Sequence, residues 1–253
     1  MRTRTPFPWV AASACVRGRH HEGKGTPCQD AVHIARTKEC VAVAVADGLG
    51  TCPKSHLGAT AATGRIANYI ARHSKCWSRR GVLPSQLLEI ASAAIRGEAA
   101  SRGEDVETFS CTLQVVAVTR RRLLVLHVGD GVVVAGGAQQ TSVLCEPQRG
   151  EQAHQTWCIP DLAANAPITC FVRDLKPDEE FFALFTDGPM EAGLYSPRLR
   201  TVAPALGVIA RWLVRHPIAR VEEAIAANIE KVLRPNTWDD CTVAVLSRAM
   251  VRT

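Results

Sequence analysis

With 253 residues, 47% hydrophobic and 21% charged side chains, the chain has an ordinary globular composition. A compact domain of this length buries about 70–75% of the surface its unfolded chain exposes, which excludes a disordered protein and a small one that needs staples. The net charge of +6 comes mainly from scattered Arg (Arg17/Arg19, Arg79/Arg80, Arg120 to Arg122, Arg211/Arg215), and aromatics are only 5%. Without a basic helical stripe interleaved with aromatics, no nucleic-acid partner is expected. A mild positive field favours anionic substrates such as phosphorylated protein.

Ten cysteines include no C-x-x-C pair, which argues against a zinc site and against a disulfide framework. Most sit in apolar contexts and read as small core hydrophobes; reduced thiols imply the cytoplasm. Arg2 and Arg4 precede an apolar stretch, Phe7 to Val16, but Pro6, Pro8 and Ser13 interrupt it and it is too short for a signal peptide. No run approaches ~18 apolar residues, so no membrane partner is expected.

In chain order, strands are predicted over Trp9 to Val16, Ala31 to Ala35 and Cys40 to Ala46. The last alternates Val and Ala and stops at Asp47-Gly48. A helix follows from Ser55 to about Trp77, with Ala59, Ala62, Ile66, Tyr69 and Ile70 at three- and four-residue steps. A second opens at Pro84, a residue suited to the first helical turn. Strands return over Phe109 to Val118, Arg122 to Val128 and Val132 to Ala135, with Arg120-Arg121 as a hairpin tip. Residues 137 to 165 read as loops with weak strands that shape substrate access. Ile168 to Val172 and Phe181 to Thr186 read as strands, Arg198 to Arg215 and Ile218 to Leu233 as helices, and Cys241 to Leu246 as a closing strand.

Consecutive strands with short turns pair antiparallel, and each helix pair needs an apolar sheet face to cover. The expected fold is therefore α+β: a four-layer sandwich of two stacked, mainly antiparallel β-sheets flanked by α-helices on both outer faces. No linker, repeat or low-complexity tract divides it, so residues 1–253 are read as one domain.

Carboxylates punctuate the strand ends: Asp30, Asp47, Asp130, Asp187 and the pair Asp239-Asp240. Asp before Gly, as at Asp47, Asp130 and Asp187, is also an ordinary turn pair, but five acidic clusters at strand ends in one chain exceed what turns require. Oxygen ligands at strand ends suit hard cations such as magnesium or manganese. Asp47, Asp187 and Asp239 lie far apart in sequence and converge if their strands share one end of the sandwich. Gly48, lacking a Cβ, lets its backbone carbonyl approach a metal. Two ions about 3.5–4 Å apart then activate a water for attack on phosphorus.

Several segments carry a resemblance: Gly25-Thr26-Pro27-Cys28-Gln29-Asp30-Ala31, Val45-Ala46-Asp47-Gly48-Leu49-Gly50, Ser55-His56-Leu57-Gly58-Ala59, Ser110-Cys111-Thr112-Leu113, His127-Val128-Gly129-Asp130-Gly131, Leu184-Phe185-Thr186-Asp187-Gly188 and Trp238-Asp239-Asp240-Cys241-Thr242-Val243. In this order the chain resembles the metal-dependent Ser/Thr protein phosphatases of the PPM, or type 2C, family, in its compact bacterial branch, from near residue 11 to near 248. The resemblance implies a protein-serine/threonine phosphatase dependent on Mg2+ or Mn2+, with two ions per active site and a weaker third. Asp47 would bridge both ions with the Gly48 carbonyl on one, and Asp187 and Asp239 would complete the site. Asp130 would share the third ion with Asp187, and Asp30 would orient the attacking water. The implied partners are phosphorylated proteins and a cognate Ser/Thr kinase, with the chain itself expected to be a monomer.

Two positions depart from the family. The His that follows the Asp-Gly in better-known members, proposed to protonate the leaving alkoxide, is Leu49 here. Their phosphate-binding Arg, five residues before the first Asp, is Gly25. His21 is the expected substitute acid, while Arg17, Arg19 and Lys24 remain open as phosphate holders. The alternative is a pseudophosphatase that binds phosphopeptides without turnover, against which the retained carboxylates speak.

Overall fold

The computed structural model describes residues 7–137, 140–148, 156–160 and 166–249. Two five-stranded sheets face each other, and every strand pair in them is antiparallel. One sheet has the order β2 (Ala31–Arg36), β3 (Val41–Ala46), β4 (Leu113–Val118), β5 (Arg122–Val128) and β8 (Thr169–Asp174). The other has β1 (Trp9–Val16), β12 (Cys241–Arg248), β9 (Phe181–Phe185), β6 (Val132–Gly136) and β7 (Thr141–Cys145). A short hairpin, β10 (Tyr195–Ser196) with β11 (Thr201–Val202), lies outside both. Helices cover each outer face, so the expected four-layer α+β sandwich is the fold.

Strand β3 shows how the sequence sorts these layers. Successive side chains of a strand point to opposite faces. Val41, Val43 and Val45 therefore enter the core between the sheets, where they join Phe182, Leu184 and Leu246. Ala42, Ala44 and Ala46 face outward, beneath Ala59, Ala62, Ile66 and Ile70 of α2 (Ser55–Arg72). Large residues fill the wide gap between sheets, and small ones let the helix lie close. Each fully buried Val contributes about 1.5–3 kcal/mol. On the opposite face Val243 and Val245 of β12 pack with Leu206 and Leu213 of α6 (Ala205–Leu213) and with Val221 and Ile225 of α7 (Ile218–Asn228).

Several boundaries differ from the sequence reading. A six-residue helix α1 (Arg19–Lys24) stands where none was predicted. Helix α2 ends at Arg72 because His73 leaves helical geometry, with its Nδ1 2.8 Å from the Tyr69 carbonyl and its ring stacked on Tyr69. Residues Ser74–Arg80 restart as α3, whose Trp77 indole donates back to the Ile70 carbonyl at 2.8 Å. Strand β4 begins at Leu113 rather than Phe109, since Val106–Phe109 form a tight 3-10 turn before it. Helix α6 starts at Ala205 rather than Arg198, after the β10–β11 hairpin. Helix α4 (Pro84–Arg102) opens at the predicted proline. In the loop region residues 140–148, which include strand β7, and 156–160 are described; 138–139, 149–155 and 161–165 lie outside the described residues, as do Arg2 and Arg4. No helix among the described residues is long and apolar enough to cross a membrane.

All ten cysteines are unpaired, but the expectation that they are core residues holds only in part. Cys40, Cys111, Cys145 and Cys241 are buried, whereas Cys15 and Cys76 are exposed and the rest are half-buried. Cys15 and Cys28 touch, sulfur to sulfur, at 3.4 Å.

Candidate metal centre and active-site cleft

The turns at one end of the sandwich enclose a cleft of about 320 Å3, lined by His20, His21, Asp47, Gly48, Leu49, Asp130, Asp187 and Asp239 among others. Asp47 leaves the end of β3 and is held by two bonds to one residue. Its N–H donates to Thr112 Oγ1 at 2.9 Å, and its carbonyl accepts from the Thr112 N–H at 2.8 Å. Gly48 follows, its N–H donating to the Gln29 carbonyl at 3.1 Å. A Cβ there would press on the Ser55 side chain and the Gln29 carbonyl, so only glycine permits this approach.

Asp130 sits in the β5–β6 turn and is buried. One of its oxygens, Oδ2, accepts from Thr156 Oγ1 at 2.7 Å, while the other, Oδ1, is buried without a partner. The turn is pinned by His127, whose Nε2 lies 2.9 Å from the Gly131 carbonyl; burial lowers the imidazole pKa, so it serves as a neutral donor. Asp187 begins the short helical turn α5 (Asp187–Pro189) after β9, and Gln114 Nε2 donates to the neighbouring Phe185 carbonyl at 3.2 Å, bracing one sheet against the other. Ligand oxygens of Asp47, Asp130 and Asp187 lie within 4.8 Å of one another.

Such crowding of carboxylates, largely shut off from water, disfavours their charged forms. Asp47 is pushed well above the usual carboxylate range, by burial first and then by Asp187, Asp30, Asp239 and Asp130. Asp187 is pushed up to about 7 by burial and by Asp130 and Asp239. Asp239 is raised by burial, an effect partly opposed by the Asp240 N–H that donates to its Oδ1 at 2.8 Å. A divalent cation reverses this balance. The orphaned Asp130 Oδ1 and an all-oxygen donor set fit magnesium or manganese.

Asp30 lies behind this group, buried, with Oδ2 accepting from Thr186 Oγ1 at 2.8 Å. Thr186 Oγ1 in turn accepts from the Thr242 N–H at 3.2 Å, tying Asp30 to β12. Burial pushes the Asp30 carboxyl upward. Asp240, adjacent to Asp239, accepts from two groups of the N-terminal segment, the Gly18 N–H and the Gln29 N–H, each at 2.6 Å; its Oδ2 also lies 2.9 Å from His21 Nδ1, without hydrogen-bond geometry. A Cβ on Gly18 would collide with the Asp239 carbonyl, so this seam closes only around glycine.

The predicted residues thus divide into two adjoining sets. Asp47, Gly48, Asp130, Asp187 and Asp239 line the cleft, and Asp47, Asp130 and Asp187 form one group of ligand oxygens. Asp239 groups instead with His21 and Asp240, their ligand atoms within 4.8 Å of one another. His21, on α1, is buried and lines the cleft, oriented by Asp240; Leu49 lines it as well. Arg19 is engaged elsewhere: its guanidinium donates to the Thr237 and Pro235 carbonyls and lies 4.2 Å from the Trp238 ring centre. Neither Arg17 nor Lys24 lines the cleft, and among the described residues no Lys or Arg does. The sequence reading did not anticipate His20 at the rim, Thr112 under Asp47, or Asp240 as the anchor of His21. A His-His pair bounded by Gly18 and Gly25 was the available signal.

Comparison with known proteins bears on the family and the fold. The family profile described as protein phosphatase 2C matches residues 17–234. No curated protein matches the chain in sequence. Among solved structures, the serine/threonine phosphatase Stp1 from Staphylococcus aureus superposes with a TM-score of 0.65 at 13% identity, covering 98% of each chain. The catalytic domain of the serine/threonine protein phosphatase PstP, solved with two manganese ions, gives 0.64 at 15% identity, covering 96% of this chain and all of its own. PppA of Pseudomonas aeruginosa, a regulatory component of T6SS, gives 0.63 at 15% identity, covering 96% and 99%. At these identities the likeness concerns the fold.

Proposed function

The chain belongs to the protein phosphatase 2C family and is a metal-dependent protein serine/threonine phosphatase, and from that premise we propose that its acidic cleft holds two divalent ions, magnesium or manganese, for hydrolysis of phosphoserine and phosphothreonine. The observation that carries the reading is the trio Asp47, Asp130 and Asp187, gathered within 4.8 Å with one buried carboxyl oxygen left unpartnered. The two manganese ions of PstP support the number and kind of ion. Asp47, the Gly48 carbonyl, Asp187 and Asp239 hold the pair, and Asp130 with Asp187 holds a weaker third. When bound, the ions supply Lewis acidity that polarises the phosphoryl group and acidifies an attacking water.

The chain's own residues do the rest. Asp30, fixed by Thr186, accepts a hydrogen bond from the attacking water and orients it. His21 takes the place of the family histidine missing at Leu49. The Asp240 carboxylate lies 2.9 Å from its Nδ1, which leaves Nε2 as the nitrogen that passes a proton to the leaving alkoxide. Leu49 contributes an apolar wall at the same cleft.

The partners are phosphorylated proteins, among them the substrates of a cognate Ser/Thr kinase, and the chain acts as a monomer. Ten unpaired cysteines suit the reducing cytoplasm. A second reading, a phosphopeptide-binding pseudophosphatase, draws on Leu49 and on a cleft that no described Lys or Arg lines. Manganese-dependent release of phosphate from an aryl phosphate separates the two. Turnover that requires the metal and disappears in Asp47→Asn is expected; equal, slow release by both proteins would support the binding module.

A further inference from the structure

The opposite end of the sandwich carries a second concavity, and its chemistry is the reverse of the first. It encloses about 760 Å3, more than twice the 320 Å3 of the acidic cleft and within the roughly 300–1,000 Å3 range of small-molecule sites. Six cationic side chains line it: Lys38, Lys75, Arg79, Arg120, Arg121 and Arg122. They come from three separate segments, the β2–β3 turn, helix α3 and the β4–β5 turn. A basic run on one exposed loop is usually a solvated surface. Here three elements converge on a hollow.

Only part of this charge is neutralised locally. Lys75 pairs with Glu39 at 3.6 Å and Arg122 with Asp174 at 3.2 Å, and the Arg120 guanidinium lies over the Phe7 ring at 5.9 Å. Lys38, Arg79 and Arg121 have no ion pair among the described residues. The Arg122 Nε is buried without an acceptor, and Ser74 and Ser78 add hydroxyls to the wall. Guanidinium groups donate in planar forks that match phosphate oxygens, and charge-assisted bonds of this kind are stronger than neutral ones.

We infer that this cavity is a binding site for a small polyanion carrying two or more linked phosphates. A single phosphate presents fewer oxygens than three converging cations and their hydroxyl neighbours engage. A short phosphate chain matches both the charge and the volume. The site is separate from the acidic cleft. Thr112 and Thr119 bracket β4, one lining each cavity, and the seven-residue interval between them spans roughly 23 Å at strand spacing.

The test is calorimetric titration of the metal-free full-length chain with inorganic tripolyphosphate at about physiological ionic strength. One-to-one binding is expected. The double variant Arg79→Glu/Arg121→Glu should weaken it by more than about tenfold, while Asp47→Asn leaves it unchanged. Both arginines are exposed, and circular dichroism of the double variant verifies its fold; the milder Arg121→Ala should fall between it and the wild type. Adenosine triphosphate measured alongside identifies the source of the phosphates. Equal affinity assigns the site to the phosphate chain alone, and tighter binding assigns it to a nucleotide. Absence of binding by the wild type, undiminished binding by the double variant, or loss of binding in Asp47→Asn would each overturn the assignment.

Discussion

The two ends of the sandwich both crowd like charges, yet they do so in different media. At one end Asp47, Asp130 and Asp187 bring their oxygens within 4.8 Å of one another, mostly out of contact with water, and burial is the first cause of the upward shifts at Asp47 and Asp187. At the other end Lys38, Arg79 and Arg121 are exposed. Coulomb energy scales inversely with the local dielectric, so repulsion that water damps at the basic end becomes a large internal cost at the acidic end. An enclosed cluster of this kind is built to be completed by a counter-ion, whereas the open cluster is soluble without one.

The largest effect expected from this contrast is on catalysis. Asp47→Asn should lower metal-dependent phosphate release by about 10³-fold, the equivalent of several kcal/mol of metal-assisted stabilisation; steady-state assays across a manganese titration measure it. Next, His21→Gln should slow hydrolysis of a phosphoserine peptide by about 100-fold, and an aryl phosphate, whose leaving group needs no proton, far less. Equal losses on both substrates would assign His21 to holding Asp240 rather than to proton transfer.

The third effect concerns stability and its dependence on pH. The folded chain keeps a proton on Asp187 up to about 7, whereas the ordinary value is 3.8. Between those values the folded state binds more protons at Asp187 than the unfolded one. This carboxyl's contribution should therefore lower the stability of the metal-free protein as pH rises across the window and level off above it, with the likewise raised Asp47 and Asp30 adding losses of the same sign. Asp187→Asn should flatten that slope and raise the thermal midpoint of the metal-free protein near neutral pH, by a stabilisation on the order of 1–3 kcal/mol. Adding manganese should produce the opposite ranking, with the wild type gaining most. The smallest effect belongs to the basic end: Arg121→Glu should change unfolding free energy by no more than about 0.5 kcal/mol, as read by urea denaturation.

How much of this was legible in the sequence depended on whether a feature was local. The Val-Ala alternation of β3 stated both the inward and the outward face, because period and side-chain size are written along one strand. The Asp-Gly pairs at strand ends announced oxygen ligands, and Asp47, Asp130, Asp187 and Asp239 all line one cleft. Pairings across the chain were not legible. Nothing near Asp240 shows that its carboxylate receives Gly18 and Gln29, more than two hundred residues away. Nor does anything near Arg19 show that its guanidinium is committed to the Pro235–Trp238 segment. The end of α2 at His73 was hidden for another reason. Apolar periodicity continues to Trp77, and the break rests on Tyr69 stacking with His73 and on the reach of the Trp77 indole to Ile70.

Strand β12 lies between β1 and β9 inside its sheet, and Asp239 and Asp240 precede it directly. A nascent polypeptide still lacking residues 241–248 therefore has an open slot where that strand belongs, and nothing draws Asp240 toward Gly18. Domains tend to fold as units during synthesis, so a ribosome-tethered chain remains without the cleft until translation has passed residues 241–248. Catalytic competence in this design therefore depends on that strand being in place.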